Sequence, residues 1–188
     1  LIGFKLTATG SASRLVSERL DELVFLTDFT GADATGATSS DTAWNSATAM
    51  VGTETGGRTV VIPNGTFVLS NVSLAGKKGL RIVGDAGSVY SVIKVTGKIT
   101  CNNTGNFQCE GVTFVGDVFN TTTRTVSSAP TSGNILFDMV DNCANWDITR
   151  CYFYGFDTVF RPNSGATNGS YIVNITDNYF GWNNTSII

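Results

Sequence analysis

The 188-residue chain contains no histidine, and only 14% of its residues are charged. Without histidine, the chain alone can form neither a Ser-His-Asp triad nor a histidine metal site. The net charge of −3 offers no basic surface for nucleic acid, so we expect no nucleic-acid partner. No apolar run reaches the roughly 20 residues that a membrane helix needs, so we expect no membrane span. Good helix formers are scarce after residue 50, and the abundant Thr, Ser, Asn and Gly favour short strands joined by polar turns.

The four cysteines have spacings that do not indicate a metal site. None belongs to a Cys-x-x-Cys pair, and we expect no metal and no cofactor. Cys109 and Cys151 fall on apolar positions of the repeat described below, where cysteine acts as a small hydrophobic residue. We expect four free thiols, with a disulfide as the alternative. The other two cysteines are Cys101 and Cys143.

A pattern of eight residues occurs three times between residues 107 and 180. Each copy predicts two short strands with alternating faces, separated by a bend after the third residue. The copies are spaced by 39 and 27 residues, and a constant core with variable spacers is typical of a solenoid. The copies read Phe107-x-Cys109-x-x-Val112-x-Phe114, Trp146-x-Ile148-x-x-Cys151-x-Phe153 and Val173-x-Ile175-x-x-Asn178-x-Phe180.

The first 27 residues differ from the rest of the chain. Ser13 can cap a helix from about Arg14 to Val24. Its apolar face would hold Val16, Leu20 and Leu23. One short amphipathic helix is marginal alone. We therefore expect it either to lie on its own chain or to meet its copies in an oligomer.

A second helix is predicted after a strand over residues 24–29 and a loop of small residues. Asp41 can cap a helix that reaches Met50, with Trp44, Ala47 and Val51 on its inner face. A solenoid exposes its first rung unless something covers it, so we expect this helix to be a cap. Further strands are predicted at residues 58–62, 67–69, 79–85 and 92–95.

Short motifs follow one another between Val24 and Asp85. They are Asp28-Phe29, Gly31-Ala32, Ser40-Asp41-Thr42, Gly56-Gly57, Thr59-Val60, Pro63-Asn64-Gly65-Thr66-Phe67 and Ile82-Val83-Gly84-Asp85. Their order resembles the start of the pectate-lyase-like right-handed β-helices of bacteriophage tailspikes and tail fibres. The chain departs from that family in two places: its Gly-Asp-Gly loop is replaced by Asp33-Ala34-Thr35-Gly36, and Arg58 is inserted after the glycines. The resemblance implies an all-β, right-handed parallel β-helix with a short N-terminal helix and a capping helix.

The resemblance also implies a domain plan and partners. Residues 7–20 are similar to the connector before many phage β-helices. Residues 1–27 would then be a connector and trimerisation helix, with Val16, Leu20 and Leu23 as the contact of a homotrimer. Residues 28–188 would be the cap and first rungs of a truncated β-helix, because an open end exposes strand edges. Phage tail or baseplate proteins and bacterial surface polysaccharide would be the partners, and the protein would be made in the host cytoplasm and carried in the virion.

No catalytic pair is marked by the sequence. Cleavage of a glycosidic bond usually needs two carboxyl groups about 5–10 Å apart, and most carboxylates of such a chain cap turns. A lyase would need a base such as Arg150 or Tyr152, which no motif identifies. In tailspikes the hydrolytic residues generally lie in later rungs, so we expect any depolymerase chemistry mostly beyond this segment. The carboxylates near the repeats are Glu110, Asp117, Asp138, Asp141, Asp147, Asp157 and Asp177.

The outward positions of the repeats predict a carbohydrate-binding surface. Tyr152, Tyr154 and Tyr179 should point away from the core phenylalanines, and Trp182 follows a turn. Exposed aromatic side chains offer flat apolar faces to sugar rings, and Asp157 completes the predicted set. A subunit interface is the equal alternative, because Tyr and Trp are also enriched there.

Three functions are compatible with these features. The first is a phage tailspike or tail fibre that attaches to bacterial surface polysaccharide, with or without depolymerising it. The second is a free polysaccharide lyase or glycoside hydrolase of the same fold, and the third is a purely structural tail adaptor.

The Thr- and Ser-rich excursion over residues 120–134 is expected to be an exposed loop, and in tailspikes such excursions shape a saccharide groove.

Overall fold

The computed structural model describes residues 3–5, 13–15, 23–50, 59–85, 90–162 and 171–187. These residues form eighteen β-strands, one α-helix and a short 3₁₀ turn at Leu26–Asp28. None of the described helices is long and apolar enough to cross a membrane. The helix α1 spans Asp41–Ala49. The strands are β1 (Gly3–Lys5), β2 (Ser13–Leu15), β3 (Leu23–Phe25), β4 (Thr59–Ile62), β5 (Gly65–Ser73), β6 (Arg81–Gly84), β7 (Ser91–Asn102), β8 (Gln108–Glu110), β9 (Thr113–Val115), β10 (Phe119–Asn120), β11 (Thr125–Val126), β12 (Ile135–Asp141), β13 (Ala144–Thr149), β14 (Tyr152–Tyr154), β15 (Thr158–Pro162), β16 (Tyr171–Thr176), β17 (Tyr179–Gly181) and β18 (Thr185–Ile187).

Two parallel sheets are built coil by coil. From β4 onward, each coil supplies one strand to a six-stranded sheet, bends, and continues in an eight-stranded sheet. The six-stranded order is β16-β13-β8-β6-β4-β3, and the eight-stranded order is β17-β14-β9-β7-β12-β15-β18, with β5 paired to β7. The first half of β7 pairs with β9 and its second half with β12, so β7 joins two arms of the larger sheet. The predicted mostly-β fold of stacked parallel strands is confirmed.

The three sequence repeats form the strand pairs β8–β9, β13–β14 and β16–β17. Each pair is separated by a bend in which Gly111, Arg150 or Asp177 has a positive φ. The last phenylalanines of the repeats, Phe114, Phe153 and Phe180, lie in register on neighbouring strands. The predicted two-strand repeat with a bend is therefore confirmed.

One aromatic core lies between the sheets. The ring of Phe137 is 5.5 Å from Trp146 and 5.6 Å from Phe114, and the stacked rings of Phe114 and Phe153 are 5.7 Å apart. All four of these side chains are fully buried. Burying a side chain of this size contributes about 1.5–3 kcal/mol. The repeats are thus held by contacts between coils that lie far apart in sequence.

All four cysteines are buried free thiols, as expected. The Sγ atoms of Cys109 and Cys151 lie 3.8 Å apart on neighbouring coils. Burial raises the pKa of the thiols of Cys101, Cys109 and Cys143. These three side chains are therefore neutral and act as small apolar core residues.

Asparagine side chains connect successive coils at the bends. Asn178 accepts a hydrogen bond from the Cys151 amide and donates one to the Ile148 carbonyl, both over 2.7 Å. Asn183 makes the same pair of bonds to the amide of Phe156 and the carbonyl of Phe153. Each amide side chain therefore spans a bend of the preceding coil and bonds backbone groups on both sides of that bend.

The helix α1 lies beside β5 at the edge of the larger sheet. Trp44 and Ala47 are fully buried, as the sequence predicts, whereas Val51 lies outside the described residues. Asp41 is the first helical residue and not the N-cap, which is Ser40. Its carboxylate accepts a hydrogen bond from the Ser70 amide on β5 over 2.8 Å, and this long-range contact replaces the predicted cap.

The N-terminal helix predicted from about Arg14 to Val24 is wrong at both ends. Ser13–Leu15 is strand β2, which pairs with β1, and Leu23–Phe25 is strand β3, which pairs in parallel with β4. A free sheet edge offers Val24 and Phe25 backbone partners and burial that an isolated short helix lacks. Residues 16–22, including Val16 and Leu20, lie outside the described residues.

The strand predicted over residues 24–29 ends early. The carboxylate of Asp28 accepts a hydrogen bond from the amide of Phe25 over 3.0 Å, which turns the chain at residue 26.

The excursion after β9 also differs from a plain loop. Its first part is an antiparallel hairpin in which Phe119 pairs with Val126.

Candidate functional site

The outward surface of one arm of the larger sheet is the best-formed candidate site. Strands β5, β7, β9, β14 and β17 pair in register there, and side chains alternate between the core and the surface. At about 4.8 Å per strand, the surface extends about 19 Å along the stack. The positions that point away from the core form two rows, Thr66, Val92, Thr113, Tyr152 and Tyr179 in one, and Val68, Lys94, Val115, Tyr154 and Gly181 in the other. The two members on β9, Thr113 and Val115, are nevertheless buried.

Four of the five residues predicted for carbohydrate binding form one aromatic patch, defined as Tyr152, Tyr154, Tyr179 and Trp182. The ring of Tyr154 is 6.1 Å from Tyr152, 5.5 Å from Tyr179 and 5.7 Å from Trp182. Tyr179 is 52% exposed and Trp182 is 61% exposed, so their ring faces are accessible. The second and third repeats place these rings side by side because their strands β14 and β17 are direct neighbours.

The hairpin of β10 and β11 borders the aromatic patch. The ring of Phe119 stacks on Tyr154 with 5.3 Å between centroids and is almost fully buried. Lys94 on β7 donates from Nζ to the Phe119 carbonyl over 3.2 Å. Ser127 donates from its amide and hydroxyl to the Val118 carbonyl. These contacts fix the base of the hairpin against the sheet.

Two clefts flank the hairpin, and their volumes are about 220 Å³ and 380 Å³. Among the described residues that line them, only Asp117 carries a carboxylate, and its Oδ1 accepts a hydrogen bond from the Val118 amide. The two carboxyl groups of a glycosidase are therefore not assembled by these lining residues. The first cleft is lined by Asn64, Gly65, Thr66, Tyr90, Val92, Thr113, Val115, Phe119, Thr121 and Arg124.

Tyr154 is the residue on which the patch and the hairpin converge. Its pKa is raised by partial burial and by the neighbouring Tyr179 and Tyr152, while Arg124 acts in the opposite direction. The phenol is therefore neutral at neutral pH, since its ordinary pKa is already near 10. A neutral phenol combines an apolar ring face with a hydroxyl that can donate and accept hydrogen bonds.

Asp157 does not take part in the ring contacts of the patch. Its carboxylate accepts hydrogen bonds from the Gly133 amide over 2.7 Å and from the Asn184 side chain over 3.0 Å. These bonds lower its pKa and tie the turn after β14 to its neighbours. The geometry supports a turn-stabilising role, and binding by Asp157 stays a prediction.

The remaining carboxylates that we considered lie outside the clefts. Asp138 is buried on β12 and is paired with Lys98 over 2.8 Å and with Arg161 over 2.9 Å. Glu110 is paired with Arg81 over 2.8 Å and also with Arg150. Arg150, one candidate base of a lyase, is thus paired with a carboxylate. Asp147 and Asp177 are exposed.

Sequence reasoning missed Lys94, Phe119 and Arg124. A weak signal for Lys94 existed, because it occupies an outward position of the strand predicted over residues 92–95. Phe119 directly precedes the Thr-rich excursion and Arg124 lies in it, and the return of this segment to the sheet depends on contacts between residues about 25 positions apart. No local pattern reports such contacts.

No metal cluster was found among the described residues, since no three His, Cys, Asp or Glu side chains there are arranged to hold an ion. The patch, the hairpin and the clefts together can stack on rings and offer hydroxyl, amide and cationic hydrogen-bonding groups. This chemistry is that of a binding surface.

Comparison with known proteins agrees with the fold. No curated protein matches the sequence. A solved structure with a similar fold is the catalytic unit of a thermostable GH87 alpha-1,3-glucanase from Streptomyces thermodiastaticus strain HF3-3, with a TM-score of 0.55 and 22% sequence identity. The similarity covers 72% of this chain but only 22% of the glucanase chain. Residues 26–155 match the model of one protein family. This chain is a member of that family, rhamnogalacturonase A/epimerase, pectate lyase-like.

Proposed function

We propose that this chain binds polysaccharide on the outward surface of β14 and β17, beside the hairpin of β10 and β11. The observation that carries the proposal is the aromatic patch, in which the Tyr154 ring contacts Tyr152, Tyr179 and Trp182. The Tyr154 ring also stacks on Phe119, which lines the first cleft. Aromatic faces stack on the apolar faces of sugar rings, and the polar tips of Tyr and Trp bond hydroxyl groups.

We further propose that the coils form a right-handed parallel β-helix with α1 as its cap. The repeated order of strands, the family membership and the similarity to the glucanase fold support this architecture. The position of α1 beside β5 supports the cap, because an edge strand otherwise presents unpaired backbone groups.

The biological setting that we propose is a phage tailspike or tail fibre in the virion. The support is the motif series between Val24 and Asp85. In this proposal residues 1–27 connect to tail or baseplate proteins, residues 28–188 begin the β-helix, and the protein is a homotrimer. Val16, Leu20 and Leu23 would contribute to the trimer contact, and the Leu23 side chain is 47% exposed.

Sedimentation equilibrium of the protein and its Leu23→Asp variant tests this contact, and a monomeric wild-type protein contradicts it.

A free polysaccharide lyase or glycoside hydrolase is the second candidate. The family is that of rhamnogalacturonase A and epimerase, pectate lyase-like, and the similar solved structure is the catalytic unit of a GH87 alpha-1,3-glucanase. Because the clefts lack a carboxylate pair among their described lining residues, we propose that this segment binds without cleaving. Release of reducing ends from a bound polysaccharide, or of unsaturated products that absorb ultraviolet light, would favour the enzyme.

The first experiment measures binding to an array of bacterial capsular and O-antigen polysaccharides. We expect Tyr154→Ala and Trp182→Asn to weaken binding about tenfold or more, because each removes a central ring of the patch. Asn is chosen at residue 182 because it tolerates the positive φ of this position. Met50→Ala, which trims an exposed apolar side chain remote from the patch, is the matched control.

Two results would contradict the binding proposal. One is wild-type protein that binds no polysaccharide on the array. The other is loss of oligomerisation in Tyr154→Ala with unchanged glycan binding, which would identify the patch as a subunit interface. A structural tail adaptor would also bind no glycan.

A further inference from the structure

Two of the buried thiols, those of Cys109 and Cys151, touch each other inside the core. Their Sγ atoms lie 3.8 Å apart, and the two residues are 1% and 0% exposed. They belong to different coils, since Cys109 lies on β8 and Cys151 directly precedes β14. A bond between these sulfur atoms would therefore join two coils through residues that are 42 positions apart in the sequence.

The contact runs diagonally across the bend of the second repeat. The in-register partner of Cys109 on the next coil is Ile148, and Cys151 follows the bend at Arg150. Cys151 Sγ also lies 3.7 Å from the Cys109 carbonyl oxygen, so the two residues meet at this corner of the core. For packing alone, cysteine acts as one small apolar residue among several that would fit, but two thiols in contact add a reaction that no other apolar pair offers.

Cys101 and Cys143 form a second pair on neighbouring coils, which serves as an internal control. Their spacing is again 42 positions, and Cys143 Sγ lies 3.5 Å from the Cys101 carbonyl oxygen. The contact of this pair is therefore between a thiol and a backbone carbonyl group. Both pairs share burial and sequence spacing, and the sulfur–sulfur contact distinguishes Cys109 and Cys151.

A disulfide between Cys109 and Cys151 requires only a small movement. A disulfide bond is about 2.05 Å long, so the two sulfur atoms would have to approach by about 1.8 Å. The Cys151 amide is held by the Asn178 side chain over 2.7 Å, which fixes the backbone at this residue. The approach would then come mainly from rotation of the two side chains about their Cα–Cβ bonds.

The two thiols differ in acidity. A hydrogen bond with the Cys109 thiol, followed by the amides of Val112 and Gly111, lowers the pKa of Cys151 against the effect of burial. Burial raises the pKa of Cys109. Because the thiolate is the nucleophile in thiol oxidation, Cys151 is the sulfur that reacts first.

We propose that Cys109 and Cys151 are a redox pair that hydrogen peroxide converts into a disulfide between two coils. The Cys151 sulfur attacks one peroxide oxygen, the O–O bond breaks, and the departing hydroxide leaves as water with the thiol proton. The Cys109 sulfur then attacks the sulfenic sulfur of Cys151, the S–O bond breaks, and the Cys109 proton leaves with the hydroxide as a second water. The two sulfur atoms together lose two electrons, which reduce one peroxide to two waters.

The disulfide would form in an oxidising environment and reopen in a reducing one. Strand β14, which follows Cys151, carries Tyr152 and Tyr154 of the aromatic patch. Oxidation would therefore fix the coil of the patch to the preceding coil. This inference goes beyond the proposed function and does not depend on polysaccharide binding.

The test treats the reduced, native protein with hydrogen peroxide, blocks the remaining thiols in denaturant, and maps the cysteines by peptide mass spectrometry without reduction. We expect one cross-linked pair of peptides, which contains Cys109 and Cys151, and free thiols at Cys101 and Cys143. The melting temperature should rise by about 5–15 °C, because the bond closes a long loop of the unfolded chain. Dithiothreitol should reverse this rise.

Two variants receive the same treatment. Cys151→Ala should form no cross-link and show no rise in melting temperature. Cys143→Ala is the matched control, because it also removes a buried thiol from the later coil of a pair, and it should still form the cross-link. The inference is overturned if wild type keeps four free thiols, if the cross-link joins other cysteines, or if peroxide produces only sulfinic acid. The wild-type peptide map decides between these outcomes even where a variant does not fold.

Discussion

At the scale of single residues, close backbone packing between coils decides which side chains are tolerated. A Cβ atom on Gly116 would overlap the Gly155 carbonyl of the next coil, and one on Gly84 would overlap the Gly111 carbonyl. Both glycines have ordinary φ values, so the requirement is spatial. A glycine follows each sequence repeat, so the sequence indicates where close packing occurs. Which carbonyl group packs against each glycine is known only from the register of the coils.

We predict that Gly116→Ala lowers the free energy of unfolding by about 1–3 kcal/mol, because the backbone of one coil must move to relieve the overlap. Urea denaturation measures this loss. Gly105→Ala is the control, since its added Cβ would meet only ordinary contacts at 3.8 Å and 3.9 Å. Equal stability of the two variants would show that the coils are spaced more loosely than described.

Residue-scale reasoning from the sequence located the aromatic patch but not its neighbours. Tyr152, Tyr154 and Tyr179 were identifiable because strand alternation fixes which side chains leave the core. Phe119 and Arg124 were not, because the return of the hairpin onto Tyr154 is a tertiary contact without a local pattern. Asp157 was included in the predicted binding set because its sequence position does not reveal that its carboxylate oxygens accept hydrogen bonds that stabilise a turn.

At the scale of elements, tertiary pairing overrode local propensity. The segment around Leu23–Phe25 has helical spacing of its apolar residues, yet it forms a strand because β4 offers a free edge. The helix α1 and the two-strand repeats were predicted correctly, because their periodicities are long or repeated. The predicted bends were also found, and Gly111, Arg150 and Asp177 each have a positive φ there.

The loop before α1 depends on one carboxylate. Asp33 accepts hydrogen bonds from the amide and hydroxyl groups of both Thr35 and Thr38, which hold its pKa well below the usual range. The loop in turn bonds to β5, where the Thr66 amide donates to the Ala34 carbonyl. Asp33 thereby links the loop to the edge of the sheet.

We predict that Asp33 supports stability above its ordinary pKa of about 3.9 and that this support is lost as the pH falls toward its lowered value. The sign follows because the folded state binds the proton more weakly than the unfolded state. Thermal unfolding of wild type and Asp33→Asn from pH 7 to pH 2 measures the difference, which should shrink below pH 4. If the stability difference between wild type and Asp33→Asn did not change with pH, the substitution would act through the shape of the side chain and not through its charge.

At the scale of the whole molecule, one apolar core runs through all the coils. Cys101, Cys109, Cys143 and Cys151 are buried within it at 0–1% exposure and lie on several coils. Because neighbouring coils cover each thiol, a reagent can reach them only when coils separate. The thiols therefore report on whether the coils open singly or together.

We predict that Ellman's reagent leaves all four cysteines unmodified in the native protein and modifies all four after denaturation. In intermediate denaturant, the four should react at one common rate, that of global unfolding. Ser127→Cys, at an exposed position, should react at once and is the positive control. Rapid reaction of one native thiol would show that its coil opens independently.

The hydrogen bonds of the asparagine side chains imply an order in which the coils are completed during synthesis. Asn178 and Asn183 satisfy backbone groups of residues about 27–30 positions earlier, and Asn134 does the same for Val95 and Gly97. A bend is therefore completed only after its successor has been synthesised. During translation, the asparagine of each newly synthesised coil would complete the hydrogen bonds of the preceding coil. Folding would therefore follow synthesis with a delay of one coil.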